Sequence, residues 1–539
     1  MRPPTAAFPV PARLRALGVL ILAGAFAACS SGGAGRLVVA ARDIPARIDP
    51  VRASSPAEEN ACELVFDGLV DVAADESGTA SPVLGLAESI AQDQRDRSLY
   101  RITLRAARWH DGRALDPEDV VSSFAAYADP ANLSPRRAYL LGLIASVAAD
   151  GPLGVVVRFR EPIAEFRAWY VLAFKIVPRE YRGGPMPSDR IGAAGAAFGD
   201  APIGTGPFRF RSRSADEIVF SANKDCYRGA PASELIVLRR IAGSRDRIRA
   251  LLGGKVDVIA DTGPLDGPAL ERAGDVMVQS YMPHAFYAVA MNATAPALAK
   301  PEAREALARS VDRAALLPGL TDRSTGIEIN RGPFPDSLLT KVLPEYFYTG
   351  FPDRLAYDPS LAARLAKVSG LAEGYPVGAS SRALKIAAPA SWGEFGSRLA
   401  SALAAQLARS GVGAEPAILT DEAYGAALAE RNYDVALVFH EGYDNLFSGI
   451  SELFRSDSPK NETGISSPRL DRLLASRDGA VEATAWLSDT LALHDLVSEL
   501  CPYIPLFTIE KDIFYRRVKG VLIASDNPFL TAERWSRGP

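Results

Sequence analysis

The chain has 539 residues, with 60 basic and 64 acidic side chains and a net charge of −4. Hydrophobic residues make up 48% and charged residues 23%, the balance of a globular protein, and the length is more than one core can hold, so two or three lobes are expected. A mildly acidic chain without a Lys/Arg cluster argues against a nucleic-acid partner.

In chain order the first element is a leader. Arg2, Arg13 and Arg15 precede an apolar run from Leu17 to Ala28 that ends at Cys29. Roughly a dozen apolar residues fall short of the ~20 that span a bilayer, and the cationic start marks an export signal. The small residues Ala27 and Ala28 before a cysteine resemble a bacterial lipoprotein signal, with Phe26 where Leu is commonest. That resemblance implies a signal peptide over 1–28 and a lipid on the Cys29 thiol. Two or more acyl chains anchor stably, at ~0.8 kcal/mol per buried CH2. An ordinary secretory leader with a chance cysteine is the alternative. Residues 29–35 are small and read as a tether. Ser30, with no aspartate after the cysteine, leaves inner and outer membrane both open. Of the other cysteines, Cys62, Cys226 and Cys501, at most two can pair, and which two stays open. His110, His284, His440 and His494 are scattered without metal-ligand spacing, so neither a protein-built zinc site nor any cofactor is expected.

Strands are expected at Arg36 to Ala41 and at Tyr100 to Leu104. Asp116 caps a helix with Pro117 at its first position, Glu118 and Asp119 in its first turn, and a buried stripe of Val120, Val121, Phe124 and Tyr127. Ser244 is expected to cap a helix that Gly253-Gly254 ends before a strand at Val256 to Val258. Pro301 opens another, running to Leu317. Leu384 to Ala388 reads as a strand, and Phe395, Leu399, Leu403 and Leu407 stripe a helix ended by Gly411. A strand around Ile418, a helix from Asp421 to Glu430 and a strand at Val435 to Phe439 follow. This β-α-β-α-β order predicts a mostly parallel sheet, and ligands bind beyond the carboxyl ends of such strands. The segment there reads His440-Glu441-Gly442-Tyr443-Asp444-Asn445.

Several motifs, in order, resemble the periplasmic solute-binding proteins of oligopeptide, dipeptide and nickel ABC importers. They include Asp67-Gly68-Leu69-Val70, Pro82 to Glu88, Leu104 to Gly112 with Asp116 to Phe124, and Pro202 to Phe208. Asn223 to Gly229, Leu251 to Asp257, Arg304 to Arg313, Tyr357-Asp358-Pro359, Asn461 to Leu473 and Pro502 to Phe507 continue the series. The resemblance implies an α/β, two-lobed periplasmic-binding-protein fold of the large peptide-binding class with an inserted subdomain. By that layout a base lobe takes 36–70, 202–282 and 501–539, the inserted subdomain takes 71–201, and the second lobe takes 283–500.

The glycines of Gly204-Thr205-Gly206 fit a tight turn, since neither a phosphate loop nor a dinucleotide fingerprint follows. Trp109-His110-Asp111-Gly112 reads as a corner before the capped helix rather than as a catalytic His-Asp pair. No Gly-x-Ser-x-Gly elbow occurs, and no nucleophile is specified beside His440 and Asp444, so an enzyme is not expected.

The family resemblance implies a monomer that closes on a solute, a peptide first of all, and delivers it to ABC permease subunits. Relatives that bind peptides place an aspartate after a late strand against the ligand's amino terminus. Here the segment lacks their Asp-Pro, and Asp444 is the best positional heir, with Glu441 second. Tyr443 and Trp392 are the candidate aromatic walls, and Ser54 and Ser55 the candidate hydrogen-bonding groups of the base lobe. Two other readings stay open: an anchored sensory or structural lipoprotein that kept the fold, and a binder of a metal chelate or other non-peptide solute, with His440 as candidate ligand.

Overall fold

Arg36–Ala41 is buried on both faces, as a central strand must be, and it pairs in parallel with Leu235–Arg240 and Val258–Ile259. In the computed structural model this base sheet has seven strands. Their order is Met277–Tyr281, Lys511–Tyr515, Val258–Ile259, Arg36–Ala41, Leu235–Arg240, Glu217–Ala222 and Phe208–Arg213. The structure describes residues 35–74, 80–181, 198–260, 270, 273–283, 285–321, 326–333, 351–373, 375–377, 380–440, 449–523 and 527–538. Cys29, His284, Glu441, Tyr443 and Asp444 lie outside them.

A second, six-stranded sheet has the order Ile327–Ile329, Tyr503–Ile509, Phe286–Met291, Val435–His440, Leu384–Pro389 and Ala414–Leu419. The expected mostly parallel sheet is corrected to a mixed one. Leu384–Pro389 pairs in parallel with both its neighbours, but Phe286–Met291 and Tyr503–Ile509 are antiparallel. The reason is topological: these two strands carry the chain between the sheets, from Met277–Tyr281 into Phe286–Met291 and from Tyr503–Ile509 into Lys511–Tyr515. The later change of sheet therefore falls at Glu510, not at Cys501. Between the two parts of the base sheet, Ala87–Gln92, Leu99–Leu104, Ile144–Ala149 and Gly154–Phe159 form an antiparallel sheet of their own.

Local signals explain most helices. Asp116 accepts from the Glu118 N–H at 2.9 Å while Asp119 accepts from the Asp116 N–H at 3.1 Å, a reciprocal cap that starts Pro117–Ala128 as expected. Phe395, Leu399, Leu403 and Leu407 all bury one face of Gly393–Arg409. Two expectations fail. Ser244 is the first helical residue rather than the cap, which is Gly243, and the Arg247 guanidinium instead holds the Ile241 and Ala242 carbonyls at 2.9 Å. The strand after that helix is Val258–Ile259. The helix from Pro301 stops at Arg309, where the Ser310 hydroxyl donates back to the Ala306 carbonyl at 2.7 Å, and Asp312 caps a new turn, Arg313–Leu316.

One apolar core runs without interruption from the base sheet into the inserted one, from Leu37 and Val39 through Phe66 and Trp109 to Tyr100 and Phe159. The second sheet instead has a separate core on each face, one around Leu399, Leu403 and Leu437, the other around Val438, Leu493 and Trp486. Cys62, Cys226 and Cys501 are buried free thiols. Among the described residues no helix is long and apolar enough to cross a membrane.

Candidate ligand-binding site

Leu384–Pro389, Ala414–Leu419 and Val435–His440 run in parallel, so their carboxyl ends share one rim of the second sheet. Trp392 follows the first of them and is half-buried there. Its ring meets Tyr287 edge-on at 5.4 Å and Phe395 at 6.2 Å. Tyr287 is the hub: its ring also lies 4.4 Å from Phe439, 5.1 Å from Phe395 and 5.6 Å from Phe507. The register makes this cluster, because Tyr287 stands opposite Phe439 on one neighbouring strand and opposite Phe507 on the other. The Lys511 ammonium, just past the crossing into the base sheet, sits 5.6 Å from the Phe439 ring centre.

The other face of the same rim is polar. His440 ends its strand between Phe286, at 5.3 Å, and Tyr503, at 5.6 Å, and its Nε2 lies 3.2 Å from a Glu462 oxygen. The Tyr503 hydroxyl donates to that same oxygen at 3.1 Å, and the Tyr433 hydroxyl donates to the Glu462 carbonyl at 2.9 Å. Glu462 thus collects donors from Tyr433 and Tyr503 beside His440, the last described residue before Glu441, Tyr443 and Asp444 in the sequence. Sequence reasoning missed it, although it lies inside one of the matched motifs. It also missed Tyr287 and Phe439. The alternation of Phe286, Tyr287, Ala288 and Val289 defines two faces, but only register shows which rings meet.

On the base lobe, Ser54 and Ser55 lie between the first strand and Pro56–Val65. Ser55 is that helix's cap, accepting from the Glu58 N–H at 3.4 Å and donating to the Glu58 carboxylate at 3.2 Å, while the Ser54 N–H donates to the same carboxylate at 3.0 Å. Ser54 is exposed. Among the described residues no group of three or more His, Cys, Asp and Glu side chains could hold a metal ion.

The motifs read as turns pack the base. A Cβ on Gly204 would lie 1.8 Å from the Val65 carbonyl oxygen, so only glycine fits this approach. His110 Nδ1 accepts from the Gly204 N–H at 3.3 Å, and Nε2 donates to the Gly206 carbonyl at 3.0 Å, a pairing that requires the neutral ring. Burial holds the imidazole down to about 4, against an ordinary 6.5. Thr205 donates to Asp67 at 2.8 Å, and Arg228 pairs with the other Asp67 oxygen at 2.8 Å. Lys175, where the inserted subdomain returns, bridges Glu63 at 2.8 Å and Asp71 at 3.0 Å.

Residues 81–460 match the model of the bacterial extracellular solute-binding proteins, family 5 Middle, and the chain belongs to that family. Over 320 residues it is 28% identical to "Probable di/tripeptide-binding protein 5" of Pseudomonas aeruginosa, covering 54% of this chain and 59% of that one. Di/tripeptide-binding protein 2 of the same organism is 26% identical over 382 residues, covering 67% and 68%. Among solved structures, the substrate-binding protein CtaP of Listeria monocytogenes superposes with a TM-score of 0.79 at 18% identity, covering 94% of this chain and 99% of that one. DppA of Helicobacter pylori, in complex with the peptide STSA, gives 0.77 at 19% identity, with 94% and 98% covered. The fold is thus the two-lobed binding-protein fold of the peptide-binding class.

Proposed function

We propose that this protein is the solute receptor of an ABC importer and that its solute is a peptide. The observation that carries this reading is the wall of rings around Tyr287 and Trp392 at the carboxyl rim of the second sheet; in sequence, Glu441, Tyr443 and Asp444 follow directly on the strand that supplies Phe439 to that wall. Amphipathic rings grip an extended apolar ligand at low entropic cost, and a carboxylate beside them selects an ammonium end. In this reading Asp444, with Glu441 second, pairs with the peptide amine, Tyr443 and Trp392 flank the chain, and Ser54 and Ser55 approach from the base lobe. The relatives named for di- and tripeptides support the substrate class. The receptor works as a monomer, without catalysis, held at a membrane by lipid on Cys29 and handing its solute to permease subunits. Tethering raises its effective concentration at that surface.

Native mass spectrometry of the purified protein tests this. A ladder of released peptides is expected, with Asp444→Asn weakening their binding by about tenfold or more, roughly 1.4 kcal/mol. Repeated absence of any small molecule, or unchanged affinity in both Asp444→Asn and Glu441→Gln, overturns it.

A further inference from the structure

The covalent crossings at 281–286 and 509–511 are not the only connection between the lobes. Helix Glu165–Val171 belongs to the inserted subdomain, which shares its core with the base sheet and so moves with it. Yet its Phe166 and Tyr170 pack into the core of the second lobe that holds Trp486, Leu493 and Val497. The Phe166 ring meets Trp486 edge-on at 6.2 Å.

Between those two aromatics the helix places Arg167, only 3% exposed. Its charge acts on both Arg477 and Asp478 of the second lobe. Arg477 is fully buried, with its guanidinium 4.7 Å from the Trp486 ring centre, its Nε donating to Thr490 at 2.9 Å and its Nη1 reaching Asp478 at 3.3 Å. Burial depresses Arg477 to about 10, and the neighbouring Arg167 charge acts in the same direction. Asp478 also accepts from Ser451 at 2.7 Å. At the edge, Arg97 in the first turn of the inserted sheet pairs with Glu482, just ahead of helix Ala483–Leu500, at 2.6 Å. Apolar rings therefore pack across this contact, and one exposed ion pair ties its edge. A few rings and one exposed ion pair, the latter weak because water screens it, make a junction that holds without locking.

We infer that helix Glu165–Val171 is an interlobe clasp, a non-covalent contact between the inserted subdomain and the second lobe that sets how much of the solute-free protein is closed. A receptor whose competent state is only partly populated binds with its intrinsic affinity reduced by that fraction, so the clasp tunes capture without touching solute. The inference stands whatever the solute is.

The test uses the whole protein, stripped of solute by unfolding and refolding, with paired spin labels on exposed sites of the base and second lobes. Distance distributions of the solute-free wild type and the Phe166→Ala/Tyr170→Ala variant are compared. The short-distance population is expected to fall at least twofold in the variant, with unchanged far-ultraviolet circular dichroism. Should that variant fail to fold, Arg97→Glu decides: it should shift the distribution toward the open form, and Arg97→Glu/Glu482→Arg should shift it back. Unchanged distances in the folded variant that decides overturn the clasp.

Discussion

On the base side, one apolar core joins two sheets, and ions sit in its middle. Lys175 lies between Glu63 and Asp71, and Arg228 and Thr205 hold Asp67. The second lobe is built differently: two apolar cores cover a single sheet, its buried Arg477–Asp478 pair lies beside Trp486 where the insert makes contact, and a further polar group forms at one rim, around His440 and Glu462. Hydrogen-bonded ion pairs are directional and costly to break, whereas ring contacts tolerate rearrangement. The base and its insert are thereby built as one body around a shared core, and the adaptable contacts fall at the rim proposed to receive the solute.

Breaking the ionic centre should have the largest effect. Lys175→Met leaves Glu63 and Asp71 buried without their cation, and a loss of about 3–5 kcal/mol is expected in urea unfolding. Burial works against the Lys175 ammonium, yet Asp71 and Glu63 together keep it above its ordinary value, so the ammonium stays charged at neutral pH.

A pH effect of about 3 kcal/mol comes next, from His110. Its folded value of about 4 lies below the ordinary 6.5, so between those limits the unfolded chain binds the extra proton. Its contribution is complete above pH 6.5 and lost as pH falls through 4. Buried carboxyls raised by desolvation, Asp67 and Glu63 among them, act in the opposite sense and gain stability as pH falls. Comparing wild type with His110→Gln isolates the imidazole: the gap between them should narrow from pH 6.5 to 4, and a constant gap would refute the assignment.

Gly204→Ala should cost about 1–3 kcal/mol, because the added carbon meets the Val65 carbonyl and the turn must move. Thermal unfolding reads this directly. The smallest stability change is expected on the other lobe. Trp392→Ala removes an edge-on pair with Tyr287 at a half-buried site, about 0.5–1.5 kcal/mol, while weakening peptide binding several-fold by titration calorimetry. A Trp392 variant as unstable as the Lys175 variant would erase the contrast between the lobes.

Elements whose signals are local were legible from the chain alone. Arg36–Ala41, the Asp116 cap and the stripe of Phe395, Leu399, Leu403 and Leu407 in Gly393–Arg409 rest on an apolar run, a capping side chain and a helical period, all signals between near neighbours in the chain. Ser244 and the stretch after Arg309 misled because a polar side chain at a helix end has more than one local partner, and the fold chose among them. Trp392 could be placed at the carboxyl end of a strand, since that needs only the strand. Its partner Tyr287, more than a hundred residues earlier, could not.

The sequence by itself thus determined the family, the strands and helices with strong periodicity, and the tight glycine turns, all properties of neighbouring residues. The tertiary structure alone decided the antiparallel crossings, the ring cluster around Tyr287, the role of Glu462 and the contact of Phe166 with Trp486. Each of these depends on register or packing between segments far apart in the chain, and the closure of such long loops leaves no mark in the residues that come together.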